Sequence, residues 1–195
     1  MDARTTVADG GWYSYDPQFL SSDEGERLFA ILRAQLAWQI HETRWGGNLR
    51  RPVVFCGDRG VKYEYTGVSH TAEGWPPVLE EFKRRVESAA GVVFNGALLN
   101  LYRNGLDTVG YHRDNESTLV PGAPIGSLSL GAIRRFLLKH DRTKEIIELE
   151  LEHGSLLILG GTIQDSWTHT IPPARHVTGE RINVNFRQLF PPTAG

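Results

Sequence analysis

The stretch Arg181-Ile182-Asn183-Val184-Asn185-Phe186-Arg187 alternates without a break between polar and apolar residues. Successive side chains on a β-strand point to opposite faces. A strand here aims two guanidiniums and two carboxamides one way and three apolar side chains the other. The apolar face requires a core. The polar face admits two outcomes: a solvated edge, or an internal wall whose arginines are met by anions, since unpaired buried charge is too costly to keep. What the rest of the chain sets opposite this row decides between them.

The surrounding pattern is β. Short apolar or alternating runs recur at 97–102, 125–130, 134–140, 145–151, 154–159 and 181–189, separated by turn-prone segments such as Arg103-Asn104-Gly105 and His153-Gly154. That spacing indicates a sandwich or barrel and not βαβ units. Upstream the character differs. Residues 1–20 read as a loose lead-in anchored by Trp12, Tyr13, Tyr15 and Phe19. A helix is predicted over about 23–38, capped by Ser21 with Glu24 and carrying Leu28, Ile31, Leu32 and Leu36 on one stripe. Residues 43–70 look like surface loops with short strands. Pro76 and Pro77 open a second helix to about Ala90, ended by Gly91, with Val78, Leu79, Phe82 and Val86 inward. The expectation is one domain over 1–195: helices and loops in 1–91, and a mainly β, jelly-roll core in 92–190.

Composition narrows the setting. Cys56 is the only cysteine, which excludes an internal disulfide and a thiolate zinc cage and suits a reducing compartment. Residues 1–10 are polar without an apolar signal core, and no stretch approaches the ~18 apolar residues of a membrane span. A soluble, intracellular monomer is expected, cytoplasmic or, in a eukaryote, nuclear. The formal net charge of -2 does not by itself advertise a nucleic-acid binder.

Tyr111-His112-Arg113-Asp114 places a histidine and a carboxylate two residues apart, so on an extended chain both project to one side. His169, in Trp167-Thr168-His169-Thr170, is the best third ligand. Two histidines and one carboxylate with open positions is the set favoured by non-haem Fe(II) oxygenases. His41, His70, His140, His153 and His176 sit in loops, turns or strand ends and take ordinary structural roles.

Asn100-Leu101-Tyr102, His112-Arg113-Asp114-Asn115-Glu116, His169 and the Arg181–Arg187 row occur together in this order. With Ser127-Leu128-Ser129-Leu130-Gly131-Ala132 and Glu152-His153-Gly154-Ser155, the set resembles the AlkB family of Fe(II)- and 2-oxoglutarate-dependent dioxygenases over roughly 45–190. The flavour is that of the branch with the animal DNA-repair members, whose metal motif also ends in Glu. The resemblance implies a double-stranded β-helix, a jelly-roll variant. It implies Fe(II) on His112, Asp114 and His169, and 2-oxoglutarate on Arg181 and Arg187, with Asn100, Tyr102 and Asn183 adding hydrogen bonds. The implied reaction consumes O2, converts 2-oxoglutarate to succinate and removes N-methyl groups from nucleobases as formaldehyde. Asn185 stands where the family commonly has Thr.

The implied substrate is alkylated DNA, with RNA a second candidate, carrying 1-methyladenine or 3-methylcytosine. Such a base must leave the stack to reach a buried centre. By the same resemblance Tyr63 and Tyr65 fall where the family keeps base-contacting aromatics in a recognition lid. Glu116 falls at its acidic base-contacting position, suited to a cationic base. Arg44, Arg50, Arg51 and Arg59 in the lid region, with Arg134 and Arg135, are candidates for phosphate contacts. The order Leu49-Arg50-Arg51-Pro52 departs from the family's more usual Pro-Arg. The same chemistry on a protein, lipid or small molecule is the alternative, favoured by the near-neutral charge.

Overall fold

The computed structural model describes residues 4–41, 51–65 and 67–192. Elements follow in the order β1 (Thr5–Thr6), β2 (Gly11–Asp16), α1 (Ser22–Gln35), β3 (Val53–Gly57), β4 (Lys62–Tyr65), β5 (Val68–Thr71), α2 (Pro77–Ala90), β6 (Gly96–Tyr102) and β7 (Val109–His112). They continue with β8 (Ile125–Gly131), β9 (Arg134–His140), β10 (Ile146–Leu151), β11 (Leu156–Gly161), α3 (Ile163–Ser166), β12 (Trp167–Ile171) and β13 (Arg181–Arg187). Among the described residues these strands form a seven-stranded sheet, β1-β2-β11-β8-β13-β6-β3, a four-stranded sheet, β10-β9-β12-β7, and the β4-β5 hairpin. All pairings are antiparallel. Two antiparallel sheets with helices outside make the mainly β, jelly-roll architecture that the sequence pattern predicts. No helix among the described residues is long and apolar enough to cross a membrane.

Side-chain alternation builds two cores from one sheet. Ile182, Val184 and Phe186 of β13, Leu99 and Leu101 of β6, Leu128 and Leu130 of β8, and Leu156 and Ile158 of β11 face α1 and α2. There they meet Leu28 and Leu32 of α1 and Leu79, Phe82 and Val86 of α2. Each such side chain contributes roughly 1.5–3 kcal/mol by leaving water. The opposite parity of the same strands faces the smaller sheet. Tyr102, Leu157 and Leu159 pack there against Phe136, Leu138, Trp167 and Ile171.

Local chemistry sets the helix ends. Ser21 Oγ accepts from Glu24 N at 3.3 Å while Glu24 Oε2 accepts from Ser21 N at 2.9 Å, a reciprocal capping box. The helix stops at Gln35, three residues before the predicted end. Pro77 opens α2, and Gly91 closes it in the left-handed region at φ 74°.

Two expectations are overturned. The lead-in is not loose, because β2 pairs with β11 along its whole length, from Gly11↔Gly161 to Asp16↔Leu156. Clustered aromatics hid a strand, and the structural core therefore does not begin at residue 92. Gly160 is the fit that admits it: a Cβ there would lie 2.2 Å from Trp12 Cζ2. Nor is His153-Gly154 a hairpin turn, since β10 and β11 lie in different sheets. His153 Nδ1 accepts from Gly131 N at 2.8 Å, fastening the crossing to the end of β8.

Candidate metal and co-substrate site

Antiparallel register brings the two histidines together. His169 of β12 pairs directly with His112 of β7, and their ring centroids are 4.2 Å apart. Asp114 lies two residues past β7. Its Oδ1 is 3.9 Å from His112 Nε2 and its Oδ2 is 3.6 Å from His169 Nε2. One ligand atom from each residue falls within 4.8 Å of the others, a separation that one metal ion can span. His112 Nδ1 sits 2.9 Å from Gly110 O, a carbonyl that can only accept, so Nδ1 donates and Nε2 is the ring nitrogen turned to the cluster. Burial, followed by the His112 charge, holds His169 well below the usual imidazole range, keeping it a neutral donor.

The polar row of β13 is internal. Arg181, Asn183 and Arg187 are buried, in register with Tyr102, Asn100 and Gly96 of β6. On the other side β8 supplies two hydroxyls that sequence inspection missed. Arg181 Nη2 donates to Ser129 Oγ at 2.9 Å, and Asn183 Nδ2 to Ser127 Oγ at 2.8 Å. Both serines lie on the inward parity of Ser127-Leu128-Ser129-Leu130, a signal as regular as that of β13 itself.

An open cavity of about 540 Å³ separates this wall from the His–Asp–His cluster, which lines it as well. Arg181 Nε and Nη1 and Arg187 Nε are buried with no hydrogen-bond partner among the described residues. Burial pushes Arg181 down to about 10, and burial with the Arg51 charge pushes Arg187 to about 9. Both stay cationic at neutral pH, so the cavity presents buried positive charge with unmade bonds.

Arg187 is less free than the bare pattern implied. Its Nη2 donates to Asp114 Oδ1 at 2.9 Å, and its Nη1 donates to Tyr63 Oη. The row meets an anion inside the protein, because the end of β13 lies beside the segment after β7.

The arginines proposed for phosphate need correction. Arg51 donates to Asn100 Oδ1 and Tyr65 Oη, each at 2.8 Å, and is only 5% exposed. It ties the β4–β5 hairpin to the cavity wall. Arg134 is 1% exposed and donates to the carbonyls of Asn104, Asp107 and Pro172. Strand parity explains it: Arg134, Phe136, Leu138 and His140 face inward on β9, and Arg135 faces out. Arg51, Arg134 and Arg181 all stand 5.1–5.6 Å from the Tyr102 ring. Arg135 is exposed and forked onto Glu148 at 2.6 and 2.7 Å. Arg59 is exposed, while Arg44 and Arg50 lie outside the described residues.

Tyr63 and Tyr65 share one face of β4, yet neither offers an open ring. Tyr63 is 0% exposed and packs 5.3 Å from Phe55 and 5.9 Å from Tyr65, centroid to centroid. Its hydroxyl donates to Glu116 Oε1 at 2.8 Å. Burial, then the Asp114 charge, raises the Glu116 carboxyl to about 8.

The model for the 2OG-Fe(II) oxygenase superfamily matches residues 13–187. The mouse protein named DNA oxidative demethylase ALKBH2 is 38% identical over 156 residues, covering 76% of this chain and 65% of that protein. The human alpha-ketoglutarate-dependent dioxygenase alkB homolog 3 is 39% identical over 190 residues, covering 92% of this chain and 66% of that protein. This chain thus spans just under two thirds of the length of these curated relatives. The solved structure of OsALKBH1 aligns with a TM-score of 0.66 at 17% identity, over 95% of this chain and 100% of that one, a likeness of fold. Fold, site and family model agree: the chain belongs to the 2OG-Fe(II) oxygenase superfamily, whose members use Fe(II), 2-oxoglutarate and O2, and it is similar to AlkB-type proteins within it.

Proposed function

We propose that this protein oxidatively demethylates alkylated bases in DNA, with 1-methyladenine and 3-methylcytosine as targets and RNA as a second substrate. The observation that carries the reading is the facing of two half-sites across one cavity: a His–Asp–His cluster on one wall and buried guanidiniums with unmade bonds on the other.

The donor set fits the groups that the family uses. Two imidazole nitrogens and one carboxylate suit Fe(II) and leave positions open. Arg181 and Arg187, separated along one strand, suit the two carboxylates of a five-carbon keto-diacid, since arginine forks match carboxylate geometry. In this reading His112, Asp114 and His169 hold Fe(II). Arg181, Asn183, Arg187, Asn100 and Tyr102 hold and orient 2-oxoglutarate. Bound iron with 2-oxoglutarate and O2 supplies the oxidation, leaving succinate, CO2 and a base whose hydroxymethyl group departs as formaldehyde.

The chain's own contribution is positioning and exclusion of water. Glu116 lies on the lid side of the His–Asp–His cluster, where burial and the Asp114 charge favour its neutral form until a base carrying positive charge enters and favours the carboxylate. The Tyr63 hydroxyl holds Glu116, and Tyr65 closes the hairpin onto Arg51. Because both rings are packed, we assign them to shaping and closing the base pocket and not to an open stacking platform. The DNA-directed names of the relatives support a nucleic-acid substrate. We also read residues 1–195 as one monomeric, intracellular catalytic unit.

The test is methyl removal from single- and double-stranded DNA and RNA oligonucleotides bearing each lesion, with Fe(II) and 2-oxoglutarate. Formaldehyde and restored base are expected, abolished in His112→Ala. Co-substrate turnover stimulated by a protein, lipid or small molecule, with every oligonucleotide untouched, would replace this reading by the alternative substrate class.

A further inference from the structure

We infer that Gln164 is a positioning residue that sets the metal-binding aspartate from behind; this rests on the metal reading above. Asp114 follows β7 in a segment outside any strand, so its backbone N–H has no ladder partner. That N–H donates to Gln164 Oε1 at 2.8 Å. Only the amide oxygen can accept, which fixes the orientation of the Gln164 carboxamide. Its Nε2 is buried with no partner among the described residues. Gln164 lies at a second open cavity, of about 510 Å³, which Asp114 and Arg187 also line.

The placement of Gln164 gives this bond its consequence. Gln164 sits in α3, the single turn between β11 and β12. Asp165 N and Ser166 N both bond to Thr162 O, holding that turn closed. The Thr162 hydroxyl donates in turn to Asp9 O, and Trp167 Nε1 to Ala8 O at 3.4 Å. Five residues beyond Gln164 is His169. One rigid turn therefore governs two ligands: His169 through the chain and Asp114 through the amide. Arg187 restrains the Asp114 side chain and Gln164 its backbone, so removing either leaves the other in place. An oriented outer partner of this kind commonly contributes about 10–100-fold to metal affinity.

The experiment measures anaerobic Mn(II) binding by calorimetry on the full chain, for wild type, His112→Ala, Gln164→Met and Gln164→Glu, alongside thermal unfolding without metal. Gln164→Met keeps length and removes the acceptor; it is expected to bind Mn(II) about 10–100-fold more weakly. Gln164→Glu accepts the Asp114 N–H whether ionised or protonated and is expected to restore affinity. Both variants should unfold near the wild-type midpoint, which separates positioning from loss of fold. Wild-type affinity in Gln164→Met, with His112→Ala unable to bind, overturns this inference alone. Failure of Gln164→Glu to recover, with its midpoint unchanged, also overturns it. Equal binding by wild type and His112→Ala overturns the metal reading, and this inference with it.

Discussion

Arg187 Nη2 donates to Asp114 Oδ1 at 2.9 Å, joining the last residue of β13 to the carboxylate that follows β7. Both side chains are nearly sealed from solvent, at 2% and 6% relative exposure. A buried pair of this kind is not strong evidence of net stability, but removing one partner strands the other. Arg187 thereby belongs to both halves of the site. It faces the cavity, and it fixes one oxygen of the carboxylate in the His–Asp–His cluster.

The two arginines of the row should fail differently. Arg181 bonds Ser129, so Arg181→Ala is expected to weaken 2-oxoglutarate binding by about 2–5 kcal/mol, roughly thirtyfold to several thousandfold, with Mn(II) affinity unchanged. Arg187→Ala should weaken both. Titrating each ligand separately by calorimetry checks this, and a metal affinity untouched in Arg187→Ala would contradict it.

Tyr63 ties the β4–β5 hairpin to Glu116 through its hydroxyl and fills the core with its ring. Tyr63→Phe keeps the ring and leaves Glu116 Oε1 without its donor. The expected loss of stability is about 1–3 kcal/mol, read from urea unfolding. Tyr63→Ala also opens a cavity beside Phe55 and should lose roughly 3–5 kcal/mol.

Cys56 offers a simple readout of burial. Desolvation pushes its thiol up to about 12, and a thiol, unlike a thiolate, is a poor nucleophile. In native protein at neutral pH it should resist Ellman's reagent and react on unfolding. Rapid native labelling would show that β3 does not seal this position.

Acid sensitivity should trace in part to the α1 cap. The Ser21 backbone N–H, together with Arg85, holds the Glu24 carboxyl below its ordinary value of 4.5. A depressed carboxyl contributes stability above its unfolded value and loses that contribution as pH falls through its folded one. Glu24→Gln should flatten the fall in stability below about pH 4.5. Ser21→Ala should lower stability by about 1 kcal/mol at neutral pH. Denaturant midpoints across the acid range measure both.

Period-2 alternation made β6, β8, β9 and β13 legible, and β13's strict pattern made the inward row legible with it. The helix caps were equally plain, because Ser21 with Glu24 and Gly91 act locally. What escaped depends on pairing between distant segments. β2 becomes a strand because β11 lies beside it, and nothing in Gly11–Asp16 announces that partner. The fate of Arg51 follows from Asn100 and Tyr65 reaching it across the cavity. For Arg134 the parity of β9 was visible but went unused. Gln164 carries no periodic signal, since its role comes from one bond across fifty positions.

The strand that carries both arginines lies in the middle of its sheet, between β8 and β6, although it is the last strand formed along the chain. Without residues 181–187, no strand joins β3–β6 to β8–β11–β2. Non-local strand pairing of this kind is slow, and open edges invite association with other chains. One strand therefore both carries the arginine row and closes the sheet. A chain truncated before Arg181 would lack both arginines of this wall and would leave the facing edges of β8 and β6 unpaired.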